Sequence, residues 1–282
     1  MDNIFISTTF GPDKSKLSEI LPLCAQNNFT NLELGSNHCY EDNFHTIIKK
    51  FNFNYLVHNY FPIPKDLFVV NIASLNDEIY VRSLRHIFTA IDFTQQIGGK
   101  LYTFHPGFLT DVKESANKSN YDFVFSSENL DQNTYGLAFQ RMLIAIRQIV
   151  EYAKIKQVKV AIETEGSISK KDYLLMQRPE EYKLFFQHFS PSEMGINLNL
   201  GHLILASKAF NFEKHDFVDL IADYVVAMEL SHNEGVNDDH LPLKAEGWYW
   251  KFIRDPRFSH CYKIIETRNS GIGQLKECIS YF

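Results

Sequence analysis

The 282-residue sequence predicts an α/β fold, a single (β/α)₈ TIM barrel, on the basis of three observations. Short apolar runs alternate with longer segments whose apolar residues recur every three to four positions, and eight such runs occur. The connections between the runs are long enough for the helical crossovers that parallel strands require. No Gly-rich phosphate-binding motif follows any run, which disfavours an open nucleotide-binding sheet. Because no linker or composition change divides the chain, residues 1–282 are expected to form one domain.

The predicted strands are runs of four to six residues with aliphatic, β-branched or aromatic residues at their centres. In chain order they are Ile4–Ser7, Asn31–Leu34, Tyr55–His58, Leu101–His105, Val158–Glu163, Gly195–Asn199, Val225–Leu230 and Tyr262–Glu266. Amphipathic spacing predicts intervening helices, among them Lys14–Gln26, Glu78–Ile97, Tyr135–Lys154 and Pro179–Phe189. The segment Leu109–Asn133 has neither pattern, so we expect an irregular loop over the active-site face of the barrel.

Composition limits the classes of function. The formal net charge is −6, and no dense run of Lys or Arg is present, so nucleic acid is not an expected partner. The four cysteines form no CxxC pair, which argues against a zinc ribbon or a disulfide scaffold and favours reduced thiols. No leader pattern or apolar span of about 20 residues is present, so we expect no membrane association and a cytoplasmic location.

Polar side chains that are hard to bury without a partner follow most of the predicted strands. Active sites of (β/α)₈ barrels lie at the carboxyl ends of the strands, so these side chains are expected to converge at one mouth. The candidates are His58, His105, Glu163, Asn199, His202, Glu229, Asp238, His240 and Glu266. This mixture of imidazole, carboxylate and amide groups predicts a divalent metal site.

Six segments carry a family resemblance. They are LVHNYFP at 56–62, YTFHPGF at 102–108, AIETEG at 161–166, GINLNLGH at 195–202, DDHLPL at 238–243 and IIETR at 264–268. In this order they resemble the xylose isomerase-like TIM barrel superfamily, which includes sugar and sugar-phosphate isomerases and epimerases and also endonuclease IV. The resemblance implies the barrel fold, but it does not choose between these reactions.

The resemblance implies roles for individual residues. Glu163 and Glu266 match metal ligands of both branches, and in the epimerases these two glutamates also move the substrate proton. His58 and His105 match the histidines that hold one zinc ion together with Glu163 in the nuclease branch.

A second zinc cluster of that branch is matched by His202, Asp238 and His240. The chain departs from the family pattern at Asn199, where the family has Asp, and at Glu229, where it has His. The two exchanges leave the formal charge of the central set, Asn199 and Glu229 with the two glutamates, unchanged. Four oxygen ligands without imidazole would favour Mg²⁺ or Mn²⁺ there, and Zn²⁺ would suit the groups that contain histidine.

Other residues receive weaker assignments. Tyr60 and Phe61, next to His58, are placed to line a substrate pocket, although core packing explains either equally well. Arg268 suits a substrate phosphate or carboxylate, or the positioning of Glu266. Surface positions are expected for six histidines: His38, His45, His86, His188, His215 and His260. His232 is ambiguous.

The leading functional hypothesis is a metal-dependent isomerase or epimerase. It would act on a sugar, sugar phosphate or related polyol derivative, with α-proton transfer by Glu163 and Glu266. One alternative is a metal-dependent phosphodiesterase resembling endonuclease IV, which the histidine groups favour. A second alternative is a catalytically silent barrel that binds a sugar derivative or a protein partner, which the departures at Asn199 and Glu229 would explain.

Overall fold

The computed structural model describes residues 3–117, 122–126, 130, 132–166 and 173–282. Within these residues, eight parallel strands close into a barrel in the order β1-β10-β9-β8-β7-β4-β3-β2. The strands in chain order are β1 (Ile4–Ser7), β2 (Asn31–Leu34), β3 (Asn54–His58), β4 (Leu101–Phe104), β5 (Val112–Asn117), β6 (Asp122–Phe125), β7 (Lys159–Glu163), β8 (Gly195–Asn199), β9 (Val225–Leu230) and β10 (Tyr262–Ile265). The predicted (β/α)₈ barrel is confirmed, and the ends of its eight predicted strands differ from the observed ones by at most one residue.

Helices follow most strands and cover the outside of the barrel. They are α1 (Leu17–Gln26), α2 (Phe44–Ile48), α3 (Asp77–Gln96), α4 (Gln132–Lys156), α5 (Pro179–Phe185), α6 (Leu200–Phe210), α7 (Lys214–Ile221), α8 (Trp250–Ile253) and α9 (Ile272–Ser280). Asn76 fixes the start of α3, since its side chain accepts hydrogen bonds from the N–H groups of Glu78 and Ile79. The first predicted helix begins later than expected, at Leu17, and the helix predicted to reach Phe189 ends at Phe185.

Inside the barrel, a layer of polar side chains lies next to a layer of apolar ones, because side chains on a strand alternate between its two faces. A small buried cluster inside the barrel contains Phe5, Leu56, Leu101, Ala161, Ala227 and Ile264. Two residues further along the same strands come Ser7, His58, Thr103, Glu163, Glu229 and Glu266, which are all buried. Because residues i and i+2 of a strand point to the same face, these polar side chains continue the interior column toward the mouth.

The segment Leu109–Asn133 is not irregular throughout, as the sequence led us to expect. Strands β5 and β6 pair antiparallel within it, with Val112 opposite Phe125. Residues 118–121, 127–129 and 131 of this segment lie outside the described residues. The ring of Phe125 stacks on Tyr173, with ring centroids 4.3 Å apart, so the hairpin packs against the segment that follows β7.

Two of the six histidines expected at the surface are buried, and that prediction was wrong for them. His38 is only 5% exposed, and its Nε2 lies 2.7 Å from the Thr8 hydroxyl. His86, on α3, is 8% exposed and packs against the ring of Tyr60. His45, His188, His215 and His260 are exposed, as predicted. In the described part of the chain, no helix is long and apolar enough to cross a membrane.

Candidate metal and proton-transfer site

A pocket of about 200 Å³ opens at the carboxyl ends of the barrel strands. Most of the residues predicted from the strand ends line it: His58, His105, Glu163, His202, Asp238, His240 and Glu266. Phe68, Phe108 and Leu174 form an apolar part of the wall. The combination of a few converging polar groups with apolar walls is typical of small-molecule sites.

The first three-residue group consists of His58, His105 and Glu163, whose nitrogen and oxygen atoms lie within 4.8 Å of one another. Glu163 Oε2 lies 3.6 Å from His58 Nε2 and accepts no hydrogen bond among the described residues. His58 Nδ1 lies 2.8 Å from the Thr103 hydroxyl, and His105 Nδ1 lies 2.6 Å from Glu165 Oε1. With both Nδ1 atoms held this way, the Nε2 atom of each imidazole can bind a metal ion when the ring is in its neutral form.

The second three-residue group that lines the pocket consists of His202, Asp238 and His240. A third group, Glu33, His58 and Glu229, shares His58 with the first, and its two glutamates do not line the pocket. The Thr164 carbonyl oxygen lies 2.8 Å from His202 Nδ1, which therefore donates to it and leaves Nε2 facing Asp238 Oδ2 at 3.6 Å. His240 Nε2 lies 2.8 Å from the same Asp238 oxygen, and its Nδ1 lies 3.2 Å from Glu266 Oε2. Glu266 thus lies beside the ring nitrogen of His240 that faces away from Asp238. In metal sites a carboxylate at this position helps to orient the histidine ligand.

Burial and mutual charge set the protonation of these groups. Burial opposes the charge on Glu163, but His105, His202 and His58 outweigh it and hold the pKa of Glu163 well below its usual range. Burial likewise opposes the charge on His105, and the carboxylates of Glu163 and Glu165 raise its pKa to about 9. For His58, burial prevails and lowers the pKa to about 4, so this imidazole is neutral at neutral pH and is ready to bind a metal ion.

The predicted central set of four oxygen ligands is not assembled, and Asn199 is the reason. The Asn199 Oδ1 atom accepts the backbone N–H of His202 at 3.0 Å, and its Nδ2 donates to Glu163 and Glu229. An amide NH₂ group has no lone pair to offer a cation. Glu229 lies below the pocket floor, 1% exposed, and also accepts a hydrogen bond from Asn197. In this arrangement Asn199 presents its NH₂ group and not its oxygen to the two carboxylates, and its role as a metal ligand stays a prediction.

The three predicted substrate-binding residues take different positions. Tyr60 and Arg268 line the pocket, and the Tyr60 hydroxyl accepts the backbone N–H of Phe68 at 2.6 Å. Phe61 does not line the pocket: it is 2% exposed and packs in the apolar core against Phe93. Of the two explanations left open for Phe61, the structure shows core packing: its N–H donates to the His58 carbonyl in a turn, and its ring packs on Phe44 and Phe93. His232, which was ambiguous, is buried beside Glu234 outside both three-residue groups.

Two buried glutamates were missed by the sequence analysis. Glu165 lines the pocket and holds His105, and Glu33 at the end of β2 is fully buried. Neither Glu33 carboxylate oxygen has a hydrogen-bond partner of normal geometry among the described residues. The signal that identified Glu163, a carboxylate at the end of an apolar strand, is equally present for Glu33 in NLELG.

We expect E33Q to stabilise the protein. Burial, followed by repulsion from Glu266 and Glu163, raises the pKa of Glu33 well above its usual value. A group whose folded pKa is raised contributes stability at low pH and loses it as pH rises, so the advantage of glutamine should grow with pH. A shift of one pKa unit corresponds to about 1.4 kcal/mol. We therefore expect the unfolding free energy of E33Q to exceed that of the wild type by at least ~1 kcal/mol at pH 8, measured by urea unfolding with chelator present.

The matched control is E181Q. The Glu181 carboxylate is also buried, but it accepts hydrogen bonds from three backbone N–H groups, those of Met176, Gln177 and Arg178. Glutamine cannot accept all of these bonds in the same way, so E181Q should destabilise the fold. Equal losses in both variants would contradict the interpretation of Glu33.

Comparison with known proteins identifies the family. The family model described as a xylose isomerase-like TIM barrel matches residues 21–278. The chain belongs to this family. A comparison with curated protein sequences found no match.

Solved structures similar to this family member cover almost its whole length. A D-tagatose 3-epimerase-like protein has a TM-score of 0.71 at 17% identity and covers 99% of this chain and 96% of its own. D-psicose 3-epimerase, solved with D-fructose, has a TM-score of 0.68 at 11% identity, covering 99% and 97%. A Thermus thermophilus protein, after soaking with ZnCl₂, has a TM-score of 0.63 at 14% identity, again covering 99% and 97%. At these identities the comparisons establish the fold alone.

Proposed function

We propose that this family member is a metal-dependent isomerase or epimerase acting on a sugar, sugar phosphate or related polyol derivative. The observation that carries the proposal is that Glu163, on β7, and Glu266, after β10, line one small pocket together with histidines that can exchange protons with them. The similarity to D-psicose 3-epimerase and to the D-tagatose 3-epimerase-like protein supports the substrate class.

Glu163 is suited to remove a proton from the carbon next to a carbonyl group. Its low pKa keeps it ionised, and Oε1 is held by the Asn199 amide at 2.9 Å while Oε2 is left without a hydrogen bond in the described structure. A carboxylate oxygen has more than one lone pair, so a fixed, ionised Oε2 can accept a proton as a general base even where it also faces a cation.

Glu266 and His240 form the proton-donating side. Burial opposes charge on His240, but Asp238 and Glu266 raise its pKa to about 9, so its Nδ1 carries a proton at neutral pH. This nitrogen lies 3.2 Å from Glu266 Oε2. Burial opposes the charge on Glu266, but His240 and Arg268 outweigh it and lower the pKa of Glu266 to about 2, so in the resting protein the proton stays on His240. Glu266 would return to the carbon a proton that it draws from His240 only during the reaction, and the direction of return determines the stereochemical outcome.

The two three-residue groups that line the pocket fit a divalent cation. In the first, the unpartnered Glu163 Oε2 faces imidazole nitrogens, and in the second the Asp238 Oδ1 atom is buried without a hydrogen bond among the described residues. Imidazole and carboxylate together suit Zn²⁺ and also Mn²⁺. When bound, a divalent cation would polarise the substrate carbonyl and lower the pKa of the neighbouring C–H group.

The test is incorporation of deuterium from heavy water into a panel of ketoses and their phosphates, followed by mass spectrometry. We expect exchange at a carbon next to the carbonyl for at least one sugar, and we expect chelation to reduce the rate at least ~100-fold, since metal and general base each contribute on that order. Restoration by Mn²⁺ or Zn²⁺ is the control for irreversible damage. A metal-loaded protein that exchanges no sugar in the panel would contradict the proposal.

A metal-dependent phosphodiesterase is the second candidate, because the two groups that line the pocket keep the histidine and carboxylate ligands that a zinc hydrolase uses. It predicts hydrolysis of a phosphodiester, such as nicking of abasic DNA, by the zinc-loaded protein without deuterium exchange. A chain that binds no divalent metal and has a melting temperature indifferent to chelator would instead favour the silent barrel.

A further inference from the structure

The orientation of the Asn199 amide is fixed by its surroundings. Its Oδ1 accepts the N–H of His202 at the first turn of α6, at 3.0 Å. Its Nδ2 donates to Glu163 Oε1 at 2.9 Å and to Glu229 Oε2 at 3.0 Å. Rotating the amide by 180° would place its oxygen against two carboxylates and its NH₂ against a backbone N–H, so the observed orientation is the one that satisfies all three partners.

The two amide hydrogens lie where a central cation would meet Glu163 and Glu229. Both donors and both acceptors are buried, with exposures of about 1%. The other Glu229 oxygen accepts from Asn197 Nδ2 at 2.6 Å, so each oxygen of this carboxylate already has a donor. The amide also leaves Glu163 Oε2 facing His58 and His105, because it engages only Oε1.

We propose that the Asn199 amide occupies the central cation position of the barrel, between Glu163 and Glu229. Divalent cations then bind only at the two three-residue groups that line the pocket. Asn199 is thereby a positioning residue, which clamps Glu163 and Glu229 where a metal ion would otherwise bridge them. The partial positive charge of the NH₂ group replaces part of the attraction that a cation would supply to the two carboxylates. The proposal concerns the number of bound ions, so it can fail while the proposed reaction stands, and the reverse also holds.

The test is the metal content of N199D, with N197D as the matched control. Asn197 is an equally buried asparagine on the same strand that donates to Glu229, but no hydrogen bond joins it to Glu163 in the described structure. Purified proteins are stripped with chelator, loaded with Mn²⁺ or Zn²⁺, dialysed and measured by elemental analysis. We expect at most two ions per chain in the wild type and in N197D, and one additional ion in N199D, because aspartate restores an oxygen ligand at the centre.

A second variant keeps the proposal testable if N199D does not fold. E229Q removes a carboxylate that a central ion would need, yet in our proposal it changes no ligand, so the number of bound ions should stay at the wild-type value. Three ions in the wild type, or the loss of one ion in E229Q, would overturn the proposal. A folded N199D that binds the same number of ions as N197D would overturn it as well.

Discussion

E163Q is expected to lose proton exchange with one of the two epimers of its substrate, by about 10²- to 10⁴-fold, the usual contribution of a general base. Glu163 is ionised because His105, His202 and His58 outweigh the effect of burial on its pKa. Glutamine has almost the same shape but accepts no proton. The measurement is deuterium incorporation from heavy water, starting separately from each epimer.

E266Q should show the complementary loss. If Glu163 and Glu266 serve opposite faces of the substrate, each variant keeps exchange from the epimer whose proton the other glutamate removes. E33Q is the matched control, since Glu33 is an equally buried glutamate that does not line the pocket and should leave exchange near the wild-type rate. An E163Q protein that exchanges both epimers at the wild-type rate would remove Glu163 from the mechanism.

The barrel could be predicted from the sequence because short apolar runs indicate the strands and apolar residues every three to four positions indicate the helices. Because every second residue of a strand points into the barrel, the interior positions continue from Leu56 to His58 and from Ala161 to Glu163. Most of the candidates at the strand ends line one pocket because the carboxyl ends of barrel strands meet at the mouth, whereas Glu229 and Glu33 do not line it. The resemblance to the xylose isomerase-like family is confirmed by the match over residues 21–278.

The remaining features depend on interactions that no local pattern records. The sequence shows an asparagine at position 199 but not that the N–H of His202 takes its oxygen and turns the NH₂ toward Glu163. Similarly, His38 has the sequence surroundings of a loop residue, but hydrogen-bond partners from Thr8 and Ser15 allow it to be buried. The burial of His38 depends on contacts with residues distant in sequence, and the role of Asn199 depends on the rotation of its side chain.

D238N is expected to destabilise the metal-free protein by about 3–5 kcal/mol, the usual cost of removing one partner of a buried ion pair. Asp238 is 1% exposed and lies between two imidazoles, 3.6 Å from His202 Nε2 and 2.8 Å from His240 Nε2. Without its charge, both imidazoles lose the carboxylate that compensates for their burial. The measurement is the urea-unfolding free energy in chelator, and in excess Zn²⁺ the wild type should gain stability that the variant does not.

The pH dependence distinguishes loss of charge from loss of packing. Burial lowers the pKa of His240, but Asp238 and Glu266 raise it to about 9. The stability that this raised group contributes is complete below its unfolded pKa of about 6.5 and disappears as pH rises through 9. The destabilisation by D238N should therefore be largest near pH 6 and smaller at pH 10.

D239N is the matched control, because the neighbouring Asp239 is exposed and the variant should behave as wild type. A loss in D238N that is the same at both pH values would show that Asp238 acts through packing and not through the charge that a metal-binding group requires.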